Sequence, residues 1–318
     1  MHVLLAQVEA AVRQRKLLPA RQGLLVALSG GVDSMVLLHT LLTLPSARGC
    51  CLVVGHFNHG LRGAESERDA RFVVRTARTL GLECVTEAGD VTAAAHARGW
   101  SIEMAARELR HEFLARTARR LGLSQVALAH HADDQVELFF LRLFRGAGKG
   151  LSGMKWRNPS PADSSVTLIR PLLEQSKTAL IEYAKEARIR FRTDKSNKCV
   201  DILRNRIRLE LLPLLRSSYQ PGLEKAVLRT MEILGGESEL VRCEAQQWLR
   251  RRRGSFSSLP AAVQRQCLCS ELQRLGIPPE FDLIEKLRRQ PGLRHSWRKV
   301  WIICNSRTGT LLVEEIAR

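Results

Sequence analysis

The chain has 318 residues, of which 45% are hydrophobic, so its length and composition exclude a disordered protein and suit one large domain with smaller ones. Its 50 lysines and arginines outnumber its 32 acidic residues. The resulting formal net charge of +18 favours a polyanionic partner over a merely soluble basic protein, without separating tRNA from DNA or ribosomes.

Short apolar runs alternate with longer amphipathic stretches through the first half of the chain. The runs typical of strands lie at 23–29, 50–58, 83–88 and 125–131. The stretches typical of helices lie at 34–44, 64–82, 102–123 and 134–146. This order predicts an α/β fold, namely a Rossmann-like parallel sheet with helices on both faces that binds ligands at the carboxyl ends of its strands.

The pattern of apolar and polar residues changes in the second half of the chain. The Pro- and Ser-rich stretch 157–165 predicts a loop, after which strand and helix patterns resume. Residues 223–253 predict a long helix, which Gly235 and Gly236 could interrupt and which ends in the basic run LRRRRG. Two shorter helices and two strands follow, so we expect a first domain at 1–216 and a helical linker with a small α+β module at 217–318.

The cysteines and the apolar runs indicate the compartment. The eight cysteines include no C-x-x-C pair that would suggest a zinc or redox site, so we interpret them as thiols of a reducing compartment. The start, MHVLLAQVEAAVRQRK, does not have the charge order of a signal peptide. No later apolar run approaches the roughly 20 residues of a membrane span, so we expect a cytoplasmic protein without a membrane partner.

The stretch SGGVDS at 29–34 lies between a predicted strand and a predicted helix. Gly30 and Gly31 leave backbone N–H groups open at the start of that helix, where the helix dipole also attracts phosphate. Ser29 and Ser34 add hydroxyl donors, whereas Asp33 would repel phosphate unless Mg²⁺ or a hydrogen bond to the loop intervenes. The stretch therefore predicts a site for a metal-bound polyphosphate, with a capped Gly-Gly turn as the alternative. No lysine follows, which excludes the G-x-x-x-x-G-K-[ST] loop.

SGGVDS resembles the pyrophosphate-binding loop of the N-type ATP pyrophosphatases, or PP-loop ATPases, which split ATP between its α and β phosphates. Three further stretches are similar to segments of the tRNA(Ile)-lysidine synthetase family, in the same order. They are HFNHGLR at 56–62, HHADDQVELFFLRLFRGAGKGLSGM at 130–154 and TDKSNKCVDILRNRIRLELLPLL at 193–215.

This resemblance implies an enzyme. Residues 1–216 would form the ATP-pyrophosphatase catalytic domain, and 217–318 would form a helical linker and a tRNA-binding module. With ATP and Mg²⁺, the enzyme would adenylate the wobble cytidine of a CAU-anticodon tRNA(Ile). L-lysine would then displace AMP to form lysidine, which changes codon recognition from AUG to AUA. The oligomeric state stays open, with a homodimer as one option.

Asp134 and Glu137 are three residues apart on a predicted helix and therefore share a face. Two carboxylates there could hold a cationic amine and accept its proton, although acids also favour a solvated helix start. In the family that the sequence resembles, the positions that match Asp134 and Glu137 are associated with lysine recognition. The arginine that matches Arg110 is associated with the reacting centre. The expected catalytic set is therefore Asp33, Arg110, Asp134 and Glu137. Leu138 departs from the family, which usually has Thr there, and this puts fine positioning in doubt.

Other residues are expected to bind ATP or tRNA. The loop Ser29, Gly30, Gly31, Val32, Asp33 and Ser34, with Asp33 holding the metal of Mg-ATP, would bind the polyphosphate. His56, Asn58 and His59 follow a strand and could frame adenine and ribose, although a lone histidine is more often structural. Arg62 suits a phosphate or is a solvated surface charge. The residues predicted to contact tRNA are Arg204, Asn205 and Arg208, which could equally brace the loop, and Arg251 and Arg252 of the basic run.

Two alternative functions remain at this point. A tRNA thiolase would use the same ATP chemistry, but it needs a sulfur-carrying cysteine or an iron–sulfur cluster near the site. A catalytically silent tRNA-binding homologue would not need the loop residues and both carboxylates intact. Release of pyrophosphate from ATP that depends on lysine and tRNA would separate the three functions.

Overall fold

The computed structural model describes residues 2–18, 22–146, 148–192, 203–251 and 254–315. The chain divides into two compact units, Met1–Leu228 and Arg229–Arg318. The boundary predicted from sequence, after residue 216, precedes this division, and the roles predicted for the two domains stay predictions. Within the described ranges, no helix is both long enough and apolar enough to cross a membrane.

Six described strands share one sheet of the first unit. In chain order they are β1 (Leu24–Ala27), β2 (Leu52–Asn58), β3 (Glu83–Ala88), β4 (Gln125–Ala127), β5 (Arg157–Pro159) and β6 (Thr167–Ile169). Their order in the sheet is β3-β2-β1-β4-β6-β5, and all neighbours are parallel except β5 and β6. The predicted Rossmann-like sheet is thus confirmed.

Helices cover both faces of this sheet. The described helices of the first unit that precede α10 are α1 (Val3–Gln14), α2 (Val32–Thr43), α3 (Ala64–Thr79), α4 (Val91–Arg98), α5 (Ile102–Arg120), α6 (Ala132–Leu143), α7 (Lys177–Glu186), α8 (Leu203–Arg206) and α9 (Leu212–Ser218), with a π-helical turn at Ile207–Leu211. Alternate residues of β1 enter different cores, because successive side chains of a strand point to opposite faces. Leu24 and Val26 pack into one core with α2, whereas Leu25 packs into the other with Phe113 and Leu114 of α5.

The order of the strands positions the site. The chain passes from β1 to β2 and β3 on one side of the sheet, and then crosses to β4 on the other side of β1. Connections that leave β1 and β4 in opposite directions open a crevice at the carboxyl ends of these two strands. The loop SGGVDS follows β1, and residues 130–137 follow β4, so both stretches lie at this crevice.

The structure differs from the sequence predictions at two places, residues 157–159 and the helix that contains Gly235 and Gly236. Residues 157–159 form the edge strand β5 rather than a loop, and Pro159 is tolerated there because it ends an edge strand. Gly235 and Gly236 do not interrupt the long helix α10, which runs unbroken over Leu223–Arg251. Each glycine costs a helix about 1 kcal/mol, and the helix continues through both although the residues around them are largely exposed.

The second unit contains a small core of helices and strands. Its elements after α10 are α11 (Ala261–Arg274), α12 (Phe281–Arg289), β7 (Arg294–Trp297), β8 (Val300–Cys304) and β9 (Leu311–Glu315). The three strands form an antiparallel sheet in chain order, and Trp248, Phe256 and Ile302 lie in the core. The sequence predicted two of these strands and missed β7, whose residues Arg-His-Ser-Trp carry no apolar alternation.

Candidate active site

A cavity of about 620 Å³ opens at the crevice, which is within the range that holds a nucleotide-sized ligand. It is lined by the loop after β1, the end of β2, the start of α3 and residues of α5. Predicted site residues that line it are Ser29, Gly31, Asp33, Ser34, His56, Asn58, His59, Arg62 and Arg110. The structure therefore brings these residues, predicted from separate stretches, into one cavity.

The loop SGGVDS has the predicted strand-to-helix geometry. Gly30 has φ of 89°, a left-handed conformation that favours glycine, and Gly31 precedes the first helical residue, Val32. The Ser34 hydroxyl donates to the carbonyl oxygen of Gly31 at 2.9 Å, and the Ser29 N–H donates to Ser34 Oγ at 3.2 Å. The serine hydroxyls thus hold the shape of the loop. The first N–H groups of α2 have no acceptor within the helix and suit an anion.

Asp33 contacts an ammonium and an imidazole. Its Oδ1 lies 2.5 Å from Nζ of Lys177, and its Oδ2 lies 3.7 Å from Nε2 of His131. Burial favours a higher pKa for Asp33, but the hydrogen bond and charge of His131, together with Lys177, outweigh burial and lower the pKa. Burial favours a lower pKa for His131, but its contacts with Asp33 and Asp134 outweigh burial and raise the pKa.

These contacts bear on the metal predicted at Asp33. The ammonium of Lys177 already neutralises Asp33, and no group of three His, Cys, Asp or Glu side chains that could hold a metal occurs in the described ranges. The described side chains therefore form no protein cage for a metal, and a Mg²⁺ at Asp33 would compete with Lys177 and take its other ligands from phosphates and water. Mg²⁺ remains a prediction, and we derive no step through it.

The start of α6 carries three acids, Asp133, Asp134 and Glu137, which we call the acidic cluster. Asp133 accepts the backbone N–H of Lys177, the first residue of α7, at 2.7 Å. Asp134 accepts the backbone N–H of His131 at 3.1 Å, so it caps its own helix. Asp133 and Asp134 therefore fix the start of two helices at the crevice.

Arg204 and Arg208 contact the acidic cluster from α8 and the π-helical turn. Arg204 donates to Asp134 Oδ1 at 3.0 Å and to Glu137 Oε2 at 2.9 Å, which shows that the two acids share a face. Arg208 donates to both oxygens of Glu137, one of them at 2.9 Å. Burial favours a higher pKa for Glu137, but these arginines outweigh burial and lower the pKa. The carboxylates predicted to bind lysine thus bind guanidinium groups in this structure. Asn205, which lies between the two arginines in the sequence, is half-buried.

A second set of side chains carries positive charge or neutral imidazole. This histidine–arginine group comprises His56, His59, Arg110 and His130, which line the cavity, and the adjoining His111 and Arg170. Burial, followed by the charge of nearby arginines, lowers the pKa of His59 to about 4 and that of His111 to about 3. The same causes lower the pKa of Arg110 to about 10. These histidines are therefore neutral at pH 7.

Several buried nitrogens of this group have no hydrogen-bond partner among the described residues. They are His56 Nε2, His59 Nδ1, Arg110 Nε and both ring nitrogens of His111. Other polar atoms nearby are engaged: His56 Nδ1 lies 2.8 Å from the Leu28 carbonyl oxygen, and Asn58 donates to Glu67 at 2.9 Å. Asn58 thus braces the turn after β2, whereas His56, His59 and Arg110 keep bonding capacity that a polar ligand could use.

Some residues of the site were missed by the sequence analysis. Lys177, His130, Asp69 and Arg192 line or adjoin the cavity. His130 begins the stretch 130–154 but no role is predicted for it there, and the other three lie outside the motifs. Lys177 pairs with a carboxylate 144 residues earlier in the chain. Of the predicted tRNA contacts, Arg251 is the exposed last residue of α10, and Arg252 lies outside the described residues.

Comparison with known proteins agrees with this geometry. Residues 4–215 match a family model described as a PP-loop domain. A tRNA(Ile)-lysidine synthase of Gloeobacter violaceus is 36% identical over 277 residues, which cover 84% of this chain and 82% of that protein. The tRNA(Ile)-lysidine synthases of Geobacter sulfurreducens and Dehalococcoides mccartyi are 36% and 38% identical, with 91% and 75% of this chain covered.

Several of these matches cover only part of the relatives' own length. The matches cover 58% and 51% of the latter two proteins, so the chain spans about half the length of several curated relatives. Among solved structures, the U34-tRNA thiolase NcsA from Methanococcus maripaludis, with its [4Fe-4S] cluster, has a TM-score of 0.58 at 18% identity. That match covers 73% of this chain and 79% of the thiolase chain, and it supports the fold alone.

Proposed function

Because the chain belongs to the tRNA(Ile)-lysidine synthase family, we propose that it is a ligase that uses ATP to convert the wobble cytidine of a CAU-anticodon tRNA(Ile) to lysidine. One observation carries this proposal. His131 Nε2 lies 3.7 Å from Asp33 Oδ2 of the glycine loop and 3.5 Å from Asp134 Oδ2 of the acidic cluster. A phosphate-binding loop and a pair of carboxylates suited to an amine therefore meet at a single imidazole.

The first half-reaction would be adenylation. The C2 oxygen of the cytidine attacks the α-phosphorus of ATP, the bond from this phosphorus to the bridging oxygen breaks, and pyrophosphate leaves. The N–H groups at the start of α2 bind the leaving pyrophosphate. Arg110, whose buried Nε has no partner among the described residues, donates to the charge that develops at the reacting centre.

The second half-reaction would be displacement by lysine. The side-chain ammonium binds Asp134 and Glu137 in place of Arg204 and Arg208, which contact these carboxylates in the free protein. With the arginines displaced, Glu137 faces the lysine ammonium. Transfer of a proton from the ammonium to Glu137 replaces a buried ion pair with a neutral pair, which burial favours. The neutral amine then attacks C2 of the cytidine, the C2–O bond breaks, and AMP leaves.

The tRNA would be held largely through its phosphates. Residues 151–318 carry a net charge of +13, and the displaced Arg204 and Arg208 would also meet RNA. We expect the paired substitutions Arg251→Glu and Arg252→Glu to lower tRNA affinity and to flatten its salt dependence, because each phosphate contact releases about one counterion. Filter binding at several salt concentrations measures this, and an unchanged salt slope would assign these arginines to the solvated end of α10.

The alternative functions have less support. A thiolase requires a sulfur-carrying cysteine or cluster at the site, and no cysteine is among the described residues that line the cavity, with Cys199 outside the described ranges. A catalytically silent homologue would need neither an intact glycine loop nor a carboxylate as buried as that of Glu137, which is only 2% exposed. Both of these observations favour the ligase.

The experiment that tests the proposal is a pyrophosphate-release assay with ATP, an unmodified CAU-anticodon tRNA(Ile) transcript and L-lysine. We expect release that depends on the tRNA, and a nucleoside mass that increases at cytidine by the mass of lysine less water. Each omission of ATP, tRNA or lysine is a control. No mass change at the wobble position, with the folded full chain and all substrates present, would contradict the proposal.

A further inference from the structure

One carboxylate at the rim of the cavity holds two arginines that come from distant parts of the chain. Asp69 of α3 accepts from Arg62 Nη2 through Oδ2 and from Arg192 Nε through Oδ1, both at 2.9 Å. The side chain of Asp69 is 15% exposed, whereas those of Arg62 and Arg192 are 30% and 46% exposed. All three residues line the same cavity as the glycine loop.

The backbone of each arginine is also fixed at this rim. The N–H of Arg192 donates to the carbonyl oxygen of Gly30 at 2.9 Å, which forms a parallel bridge between Gly31 and Arg192. The N–H of Arg62 donates to Ser66 Oγ at 3.2 Å, at the start of α3. Both guanidinium groups are therefore held at their base by backbone contacts and near their tip by Asp69.

The charge of this group favours an anionic ligand. Two guanidinium groups and one carboxylate leave a net charge of +1 beside the N–H groups of the glycine loop. A guanidinium has five N–H donors in a planar fork, so the bond from Nε to Asp69 uses one of the five donors of Arg192. Two forks held at a fixed separation match a ligand with several anionic oxygens, and holding them in advance reduces the rotamer entropy lost on binding.

We propose that Asp69 is a positioning residue that orients Arg62 and Arg192 toward the β and γ phosphates of ATP, the part that leaves as pyrophosphate. This inference rests on the proposed function for the identity of the nucleotide. It assigns a role to Asp69 and Arg192, which the sequence motifs did not identify. Arg62 and Arg192 contact the ligand, and Asp69 acts through them.

The test is equilibrium binding of ATP and AMP, without tRNA or lysine, to the full chain and its variants. We expect Asp69→Asn and Arg192→Gln each to weaken ATP binding about tenfold, and AMP binding less than about threefold, because AMP lacks both phosphates. The double variant should bind ATP more weakly than Arg192→Gln alone but less weakly than the sum of the two losses, since Asp69 acts through Arg192 and also through Arg62. Glu65→Gln, an exposed acid of the same helix, is the matched control and should bind as the wild type.

Three outcomes would overturn the assignment: unchanged ATP binding in Arg192→Gln, equal losses for ATP and AMP, or fully additive losses in the double variant. Arg192 is half exposed, so its substitution keeps the test valid even if Asp69→Asn does not fold. The assay measures binding alone. A chain that binds ATP through these arginines but forms no lysidine would contradict the proposed function and leave this inference standing.

Discussion

The acidic cluster and the histidine–arginine group lie at the same crevice but differ in how their charges are balanced. Asp133, Asp134 and Glu137 each have a cationic or N–H partner within hydrogen-bond distance. In the histidine–arginine group, Arg110 Nε and the nitrogens of His59 and His111 named above have none among the described residues. An anion at the second region therefore makes contacts that the free protein lacks, whereas an ammonium at the first exchanges one cation for another.

The largest effect should follow from removing the unpartnered cation. We expect Arg110→Gln to lower the rate of pyrophosphate release by about 10²–10³-fold, as for the loss of a donor to developing charge. Burial and neighbouring arginines lower the pKa of Arg110, so its charge is unfavourable in the free protein and the Tm of the variant should be unchanged or higher.

Arg116→Gln is the control for this prediction. Arg116 lies on the same helix, is 59% exposed and pairs with Glu87 at 2.6 Å. It should retain the wild-type rate. If Arg110→Gln kept its rate, or lost rate only in proportion to a lower Tm, Arg110 would be structural and the contrast between the two regions would fail.

The acidic cluster should respond in the opposite sense, with a loss of stability as well as function. We expect Glu137→Gln to raise the apparent KM for lysine by about 10–100-fold, because a charge-assisted contact to the ammonium is lost. The affinity for ATP should change less than about threefold. The Tm should fall, because Arg204 and Arg208 lose their charged partner.

The matched control is Glu210→Gln, in the same π-helical turn as Arg208. Glu210 is 57% exposed and pairs with Arg206 at 3.6 Å, so its charge should contribute little. Steady-state kinetics with varied lysine and a thermal melt give both readouts. An unaltered KM for lysine with a lowered Tm would make Glu137 a structural anchor for the two arginines.

The two regions should also titrate differently. The pKa of His131, beside Asp33 and Asp134, is raised above its ordinary value of 6.5, whereas that of His59 is lowered to about 4. Stability from protonated His131 is present below pH 6.5 and is lost as the pH rises through the raised pKa. For His59 the unfolded chain binds more protons between pH 4 and 6.5, so stability falls as the pH falls through that window.

Histidine NMR titration of the wild type and of Asp33→Asn measures this difference. The imidazole of His131 should titrate above 6.5 in the wild type and move down in the variant, whereas His59 should not move. Thermal melts across the same range should show the two losses at opposite ends. A His131 midpoint below 6.5 would mean that the carboxylates do not outweigh burial.

The smallest effect is expected at Leu138, where the family usually has threonine. Leu138 is half-buried, and both oxygens of the neighbouring Glu137 are already held by arginines, so a restored hydroxyl adds at most one neutral hydrogen bond. Leu138→Thr should change kcat/KM for lysine by less than about fivefold, which corresponds to about 1 kcal/mol. A larger gain would show that this chain lacks a needed hydroxyl.

The strand-to-helix loop and the sheet were accessible from the sequence because both depend on neighbouring residues. The pattern of apolar runs predicted the parallel sheet, and two glycines between a strand and a helix predicted the loop, since glycine conformation and helix dipole act locally. The i, i+3 spacing likewise predicted that Asp134 and Glu137 share a face, as their common contact with Arg204 shows. The polar pattern of β7 carried no such signal and that strand was missed.

Which charges meet was decided only by the tertiary structure. Lys177 reaches Asp33 across 144 residues, Arg208 reaches Glu137 across 71, and Arg192 reaches Asp69 across 123. A local pattern shows that a side chain is charged and on which face of its element it lies, but any of the 50 basic side chains could neutralise a given acid. The order of the strands brings the carboxyl ends of β1 and β4 together. This placement selects the partners because hydrogen bonds need direct contact, and because water and salt screen Coulomb attraction beyond about 10 Å.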